Sequence, residues 1–202
     1  QGGPQAARFV DAAPLRWPQH WVRGHHHHHH RFDREPAGPG AEVEASRGCP
    51  YHCSFCAKID FRDAYRRRQL PLILEEVDAL IAQGATYLYF VDEIFLPQRP
   101  LLEALVERPV EFGVQTRIDL WKPAMIELLG AAGCVSIEAG VESLTPEGRE
   151  ALDKNCRMST DELTERLLLA RRHVPFVQAN LIETPADDDR AVADWRARLR
   201  DA

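Results

Sequence analysis

The chain has 202 residues, of which 45% are hydrophobic and 28% charged, and its formal net charge is -6. This composition can bury a core, which excludes a wholly disordered chain, a collagen and a small disulfide-rich scaffold. The acidic balance argues against nucleic-acid binding, and no apolar run approaches the roughly 20 residues of a membrane span. We therefore expect neither nucleic acid nor a membrane among the partners.

Residues 1–42 are predicted to be an irregular N-terminal segment ahead of a core domain at 43–202. The stretch 35–40 is rich in proline and glycine and is typical of a linker. Six consecutive histidines occupy residues 25–30. We interpret them as an affinity tag or a low-complexity run, with a natural His-rich segment near an active site as the alternative.

From residue 43 onward, short apolar runs alternate with longer amphipathic ones. The apolar runs predict five strands, at 43–46, 86–91, 110–118, 134–139 and 174–182. The amphipathic runs predict five helices, at 71–83, 97–107, 122–132, 159–173 and 187–200. Ser159 or Thr160 is expected to cap the fourth helix. Strict alternation of strand and helix is typical of parallel strands joined by crossover helices.

Five β/α units predict an α/β fold class but are too few for a closed eight-stranded barrel, which needs roughly 250 residues. An open or partial barrel and a doubly wound sheet both fit the length. In either architecture the functional site lies at the carboxyl ends of the strands. The loops that follow the predicted strands are therefore where we expect the site.

Three cysteines lie on a short stretch directly after the first predicted strand, with the spacing C-x3-C-x2-C: Cys49, Cys53 and Cys56. Soft thiolates select iron–sulfur clusters or zinc, and three of them can hold three corners of a cube while the fourth stays open. The alternative is a zinc site that recruits His52, and Cys134 or Cys156 could supply a distant fourth thiolate. An odd number of cysteines without a visible secretory signal predicts a reducing, cytoplasmic location.

The segment 46–56, with Phe55 just before the third cysteine, resembles the radical S-adenosylmethionine (SAM) superfamily. Members carry C-x3-C-x-aromatic-C after the first strand of a partial (β/α)6 TIM-like barrel. The residues that flank the cysteines resemble the cobalamin (B12)-associated branch in particular, and the resemblance covers roughly residues 42–200. It therefore implies a partial (β/α)6 barrel of which about five units are present.

The resemblance also implies a function. A [4Fe-4S] cluster held by the three cysteines would cleave SAM reductively and generate a 5′-deoxyadenosyl radical, either to abstract hydrogen or to support methyl transfer with cobalamin. An external electron donor and a small-molecule or peptide substrate would be the partners. The alternatives are a structural module in which the cysteines bind zinc and the sheet binds a partner, and a non-catalytic remnant or fragment.

Residues at the ends of two later strands acquire roles from the same resemblance. Asp92 and Glu93 would receive the methionine ammonium, where the family usually has a small-small-Glu motif; a solvated strand end or an N-cap is the alternative. Glu138, Gly140 and Glu142 lie in a segment similar to the family's I-x-x-G-x-E-S. They would lie near the ribose and substrate end of the pocket, where a glycine lets the backbone approach a ligand.

Two other strands supply further candidates. Gln115 and Arg117 share one face of the third predicted strand because side chains alternate with a period of two, so they are cofactor or substrate contacts or a structural ion pair. Asn180, in a fifth strand that lacks the glycines of the family, is the candidate on the adenine side. No catalytic residue is assigned from the sequence.

The family pattern extends beyond these residues. A sixth β/α unit would follow residue 200, and a cobalamin-binding domain normally precedes the barrel in this branch. Because the chain also begins at Gln1 rather than Met, we expect it to be a piece of a longer polypeptide.

Overall fold

The structure is a computed structural model that describes residues 9–27, 38–57, 64–183 and 187–200. The helices are α1 (Gln19–Gly24), α2 (Leu70–Ala82), α3 (Arg99–Val106), α4 (Pro123–Ala131), α5 (Pro146–Ala151), α6 (Thr160–His173) and α7 (Asp189–Arg200), with a 3-10 turn at Ile118–Leu120. The strands are β1 (His26–His27), β2 (Gly38–Val43), β3 (Ser46–Arg47), β4 (Arg66–Arg67), β5 (Tyr87–Phe90), β6 (Glu111–Thr116), β7 (Cys134–Glu142) and β8 (Phe176–Leu181).

The main sheet has the strand order β1-β2-β5-β6-β7-β8, and its last five strands are parallel. Each parallel strand lies beside the next parallel strand along the chain. A doubly wound sheet requires a point where the strand order reverses, and this sheet has none among the described residues. The α/β prediction is confirmed, and of its two architectures the structure has the partial barrel with five β/α units.

The first parallel strand begins earlier than predicted, so the irregular segment expected at 1–42 is wrong in part. Gly38–Val43 forms β2, whereas the apolar pattern placed a strand at 43–46. The glycine- and proline-rich sequence that resembled a linker suits close strand packing, because a Cβ on Gly38 would lie 2.2 Å from Thr86 Oγ1. The remaining part of that stretch, 35–37, lies outside the described residues.

The N-terminal segment also contributes to the core. Helix α1 buries Val22, which is 1% exposed, and packs on β2. Two histidines of the His run form β1, which pairs antiparallel with β2, while residues 28–30 lie outside the described part of the chain. The boundary expected at residue 43 therefore falls at the end of a core strand.

The helices cover the sheet and pack on one another through small or apolar residues. Helix α3 contacts α4, and α4 contacts α6. A Cβ on Gly130 of α4 would lie 2.4 Å from the carbonyl oxygen of His173, so this glycine permits the close approach of α4 and α6. Ser159 caps α6 and forms a reciprocal capping box with Glu162, as the sequence indicated. In the described part of the chain, no helix is long and apolar enough to cross a membrane.

The segment that carries the cysteines is held at both ends. Strands β3 and β4 pair antiparallel and join its two ends. Arg68, just after β4, donates to the carbonyl of Glu44 at 2.8 Å and forms a buried ion pair with Glu76 of α2, also at 2.8 Å. The sheet therefore presents the cysteine loop at the carboxyl end of β2.

Candidate active site

A cavity of about 270 Å³ opens where the parallel strands end. Every residue predicted for the site lines it, except Asp92 and Glu138. The lining residues are Cys49, Tyr51, Cys53, Phe55, Cys56, Glu93, Ile94, Gln115, Thr116, Arg117, Gly140, Glu142, Lys154 and Asn180. Residues separated by more than 120 positions in the chain are thus brought to one place by the parallel sheet.

The three cysteines of the loop are half-buried thiols that face this one cavity. Gly48, at φ +79°, turns the chain directly before the first of them. The amide of Cys56 donates to the carbonyl of Cys53 at 3.1 Å, and the amide of Ser54 donates to the carbonyl of Leu152 at 3.0 Å. These bonds fold the loop and fasten it to the segment after α5.

The geometry gives no support to the zinc alternative. Among the residues described, no group of three or more His, Cys, Asp or Glu side chains converges on a point that one metal ion could occupy. His52 is exposed and does not line the cavity. Cys134 is 2% exposed, and its thiol donates to the carbonyl of Ser136, while Cys156 packs against the core. Neither distant cysteine supplies a fourth thiolate to the cavity.

Arg117 lines the cavity and packs against the cysteine loop. Its guanidinium donates twice to Asp119, at 2.8 and 3.1 Å, and its Cζ lies 4.2 Å from the centre of the Tyr51 ring. The structural ion pair that the sequence left open is therefore present. A third nitrogen, Arg117 Nη1, is buried with no hydrogen-bond partner, so the residue retains a donor for a ligand.

Glu93 reaches the cavity because the loop after β5 is anchored by Phe95. The amide of Phe95 donates to the carbonyl of Gln115 at 2.8 Å, and its carbonyl accepts from Thr116 Oγ1 at 2.6 Å. The Phe95 ring also stacks on Trp121, with 6.3 Å between the ring centres. Glu93 Oε2 is buried and has no hydrogen-bond partner, which leaves a carboxylate oxygen ready to accept.

Asp92 lies beside Glu93 in the sequence but does not line the cavity. It is 2% exposed, its Oδ1 accepts from the amide of Ala45 at 2.8 Å, and its Oδ2 accepts from the hydroxyl of Ser46. Burial raises the pKa of this carboxyl to about 7. These two bonds hold the chain just before the cysteine loop, and Asp92 is not among the residues that line the cavity.

Glu138 also lies away from the cavity lining. It sits in register between Gln115 of β6 and Gln178 of β8, two residues before Gly140 on the same strand. It is half-buried in the sheet, and its charge adds to the effect of burial in raising the pKa of Tyr89. Glu138 therefore lies on the sheet beside the cavity residues of β7 but is not itself part of the lining.

Lys154 is a lining residue that the sequence did not single out. Its Nζ donates to Glu142 Oε1 at 3.3 Å, and its side chain is 2% exposed. It follows α5, a six-residue helix that was not predicted, although Thr145 and Pro146 form a recognisable N-terminus. Only the tertiary structure shows that this lysine, in a polar stretch typical of a loop, points inward.

A second cavity, of about 450 Å³, lies between α1 and β2 and is lined by Trp17, Trp21 and Glu42 among others. It is larger, but it contains none of the residues predicted for the site and none of the loop cysteines. Volume alone does not make an active site, and the smaller cavity has the convergent polar groups.

The family profile of the radical SAM superfamily matches residues 43–195. Two curated relatives are each 31% identical: bacteriochlorophyllide d C-12(1)-methyltransferase of Chlorobaculum tepidum over 121 residues, and tryptophan 2-C-methyltransferase of Streptomyces laurentii over 156 residues. They are matched over 55% and 68% of this chain, respectively, and over 26% of their own length. The chain thus spans about a quarter of these relatives.

Solved structures show the same fold. The radical SAM methyltransferase TsrM from Kitasatospora setae, with cobalamin and a [4Fe-4S] cluster bound, has a TM-score of 0.70 at 22% identity, over 81% of this chain and 35% of that chain. The cobalamin-dependent SAM radical enzyme OxsB, with aqua-cobalamin bound, has a TM-score of 0.65 at 19% identity, over 76% of this chain and 26% of that chain.

Proposed function

The chain belongs to the radical SAM superfamily, and from that premise we propose that it is the core of an enzyme that cleaves SAM reductively. The supporting observation is the cavity in which the three loop cysteines meet Glu93, Arg117 and Asn180. The three cysteines would hold a [4Fe-4S] cluster, and that cluster would supply the electron whose transfer to the sulfonium of SAM cleaves a carbon–sulfur bond into methionine and a 5′-deoxyadenosyl radical.

The residues present fit this pair of cofactors. Three soft thiol donors on one short loop match an iron–sulfur cluster with one iron left for another ligand. The buried atoms without partners, Glu93 Oε2 and Arg117 Nη1, have opposite charges. They are complementary to the ammonium and carboxylate of an amino acid moiety.

In this proposal the protein's part is binding and orientation. Glu93 accepts a charge-assisted hydrogen bond from the methionine ammonium, and Arg117 holds an anionic group of the ligand while its Tyr51 contact keeps the loop in place. Gly140 leaves room at the wall, and Phe55, which is 43% exposed, shields the mouth of the cavity. Asn180 and Gln115 add hydrogen-bonding groups on the neighbouring strands.

The finer proposal is methyl transfer assisted by cobalamin. Two relatives at 31% identity are methyltransferases, and the solved structures of similar fold are described with cobalamin. Hydrogen abstraction without methyl transfer is the other radical outcome. We further propose an external one-electron donor, a small-molecule or peptide substrate, and a cytoplasmic location, in keeping with the cysteines being thiols.

Anaerobic reconstitution with iron and sulfide tests the proposal. We expect about four irons per chain, a broad visible absorbance and an electron paramagnetic resonance (EPR) signal after reduction with dithionite. Incubation with SAM and reductant should then yield 5′-deoxyadenosine, and incubation with methylcobalamin and candidate methyl acceptors separates methyl transfer from hydrogen abstraction.

Cys53→Ala is the critical variant, and Cys156→Ala is its matched control because Cys156 does not line the cavity. We expect the first to lose the cluster and the second to retain it. A full cluster in Cys53→Ala, or one zinc per chain and no iron in the wild type, would contradict the proposal.

A further inference from the structure

Strained backbone is concentrated around one ion pair of the cavity. Among the described residues, positive φ outside glycine occurs at Glu142 (70°), Asp153 (50°) and Asn155 (51°). Glu142 is the partner of Lys154, and the other two flank that lysine in the chain. Such conformations persist only where the surroundings enforce them, and they cluster at functional sites.

The lysine is buried with most of its donors unused. Its side chain is 2% exposed, and within the described chain Nζ makes one hydrogen bond, to Glu142 Oε1 at 3.3 Å. An ammonium has three donors, and a buried charge is costly unless it is compensated. A Cβ on Gly140 would lie 2.4 Å from that oxygen and 3.5 Å from Nζ, so the glycine makes space for the pair at the cavity wall.

The same segment is joined to the cysteine loop. The carbonyl of Leu152 accepts from the amide of Ser54, between two of the cysteines, at 3.0 Å. Lys154 and Cys53 both line the cavity. The buried ammonium and the thiols of the loop therefore face the same cavity, on segments that are hydrogen-bonded to each other.

We propose that the buried ammonium of Lys154 stabilises negative charge on the cysteine-bound cluster and thereby raises the reduction potential of the cluster. The inference rests on the proposed function. A cluster with three thiolate ligands gains a further negative charge on reduction. A buried cation therefore stabilises the reduced cluster more than the oxidised one. The charge of Arg117 has less effect on the cluster because Arg117 donates two hydrogen bonds to the carboxylate of Asp119. Lys154 donates a single, longer hydrogen bond to Glu142.

The test measures the midpoint potential of the cluster in the reconstituted protein without SAM. The protein is titrated with dithionite, and the reduced cluster is monitored by EPR. We expect Lys154→Met to lower the equilibrium constant for cluster reduction about tenfold, which is about 59 mV to more negative potential for a one-electron couple. Lys154→Arg should restore the wild-type value. Glu142→Gln should shift the potential the opposite way, because it removes the opposing charge.

Lys122→Met is the matched control, since Lys122 is exposed and outside the cavity, and it should leave the potential unchanged. Equal potentials in wild type, Lys154→Met and Glu142→Gln would overturn the inference and leave the proposed function standing. If Lys154→Met takes up no cluster, the midpoint potentials of Lys154→Arg and Glu142→Gln test the inference instead, and an unshifted potential in Glu142→Gln would overturn it. A wild-type protein without a cluster would overturn the proposed function instead.

Discussion

Asp92 illustrates how a single residue can match a ligand-binding pattern and serve the fold. Its neighbour Glu93 has the same charge, and the sequence offered either one as the acceptor of an ammonium. The structure distinguishes them: the carboxylate of Asp92 accepts hydrogen bonds from Ala45 and Ser46, whereas Glu93 keeps a buried oxygen without a hydrogen-bond partner. Hydrogen-bond partners that lie 46 and 47 positions away cannot be read from a strand end.

The raised pKa of Asp92 makes stability depend on pH. In the folded protein burial raises this pKa to about 7, so the native state keeps a proton that the unfolded chain has lost. The stability that Asp92 contributes by keeping this proton is fully present below the pKa of its carboxyl in the unfolded chain, and it is lost as the pH rises towards 7. We expect the free energy of unfolding to fall between pH 4 and 7, by up to about 1.4 kcal/mol per pH unit.

Asp92→Asn should flatten this dependence, because an asparagine oxygen still accepts from Ala45 and its amide can bond to Ser46. Urea unfolding at several pH values is the measurement. Asp194→Asn is the control, since that side chain is 77% exposed. An unchanged pH profile in Asp92→Asn would show that this carboxyl titrates normally in the folded protein.

At the scale of elements, helices were predicted to within about two residues, and α6 has the cap that its sequence indicated. Local periodicity and capping residues are sufficient for this, because they act within one or two turns. Shorter elements were missed: α1, α5 and the β3–β4 ribbon are six residues long or less. A short segment has too few residues for a period to be visible.

The contact of α4 with α6 predicts the effect of one glycine. Gly130→Ala should destabilise the protein by about 1–3 kcal/mol, because the added methyl would meet the backbone of His173 at 2.4 Å. In a helix without such a neighbour the same change is favourable. The measurement is urea unfolding at fixed pH.

Gly24→Ala serves as the comparison, because a Cβ on Gly24 would meet no atom within 4 Å. It should change stability by less than about 0.5 kcal/mol. Equal stability of the two variants would mean that α4 and α6 do not approach each other as closely as the structure has them.

At the scale of the whole molecule, the position of a strand in the sheet should determine how slowly its amides exchange. β5 and β6 are flanked on both sides by strands and consist largely of buried residues, whereas all six residues of the edge strand β8 are only half-buried. Strands with fewer buried contacts open more readily. Hydrogen exchange followed by mass spectrometry should show slow exchange at Tyr87–Phe90 and Glu111–Thr116 and faster exchange at Phe176–Leu181.

The two-residue strands β1, β3 and β4 should exchange fastest of all. Protection of β8 as strong as that of β6 would contradict this ranking, and would mean that the edge is covered under the conditions of the experiment.

The sequence by itself determined the alternation of strands and helices, the three thiols of the loop and the end of the sheet where the site lies. These depend on periodicity and spacing between near neighbours. The tertiary structure alone decided that the strand order of the sheet does not reverse, that Glu93 and not Asp92 lines the cavity, that Glu138 does not line it, and that Lys154 does. Those outcomes depend on strand order, on register and on hydrogen bonds between distant segments, which no local pattern encodes.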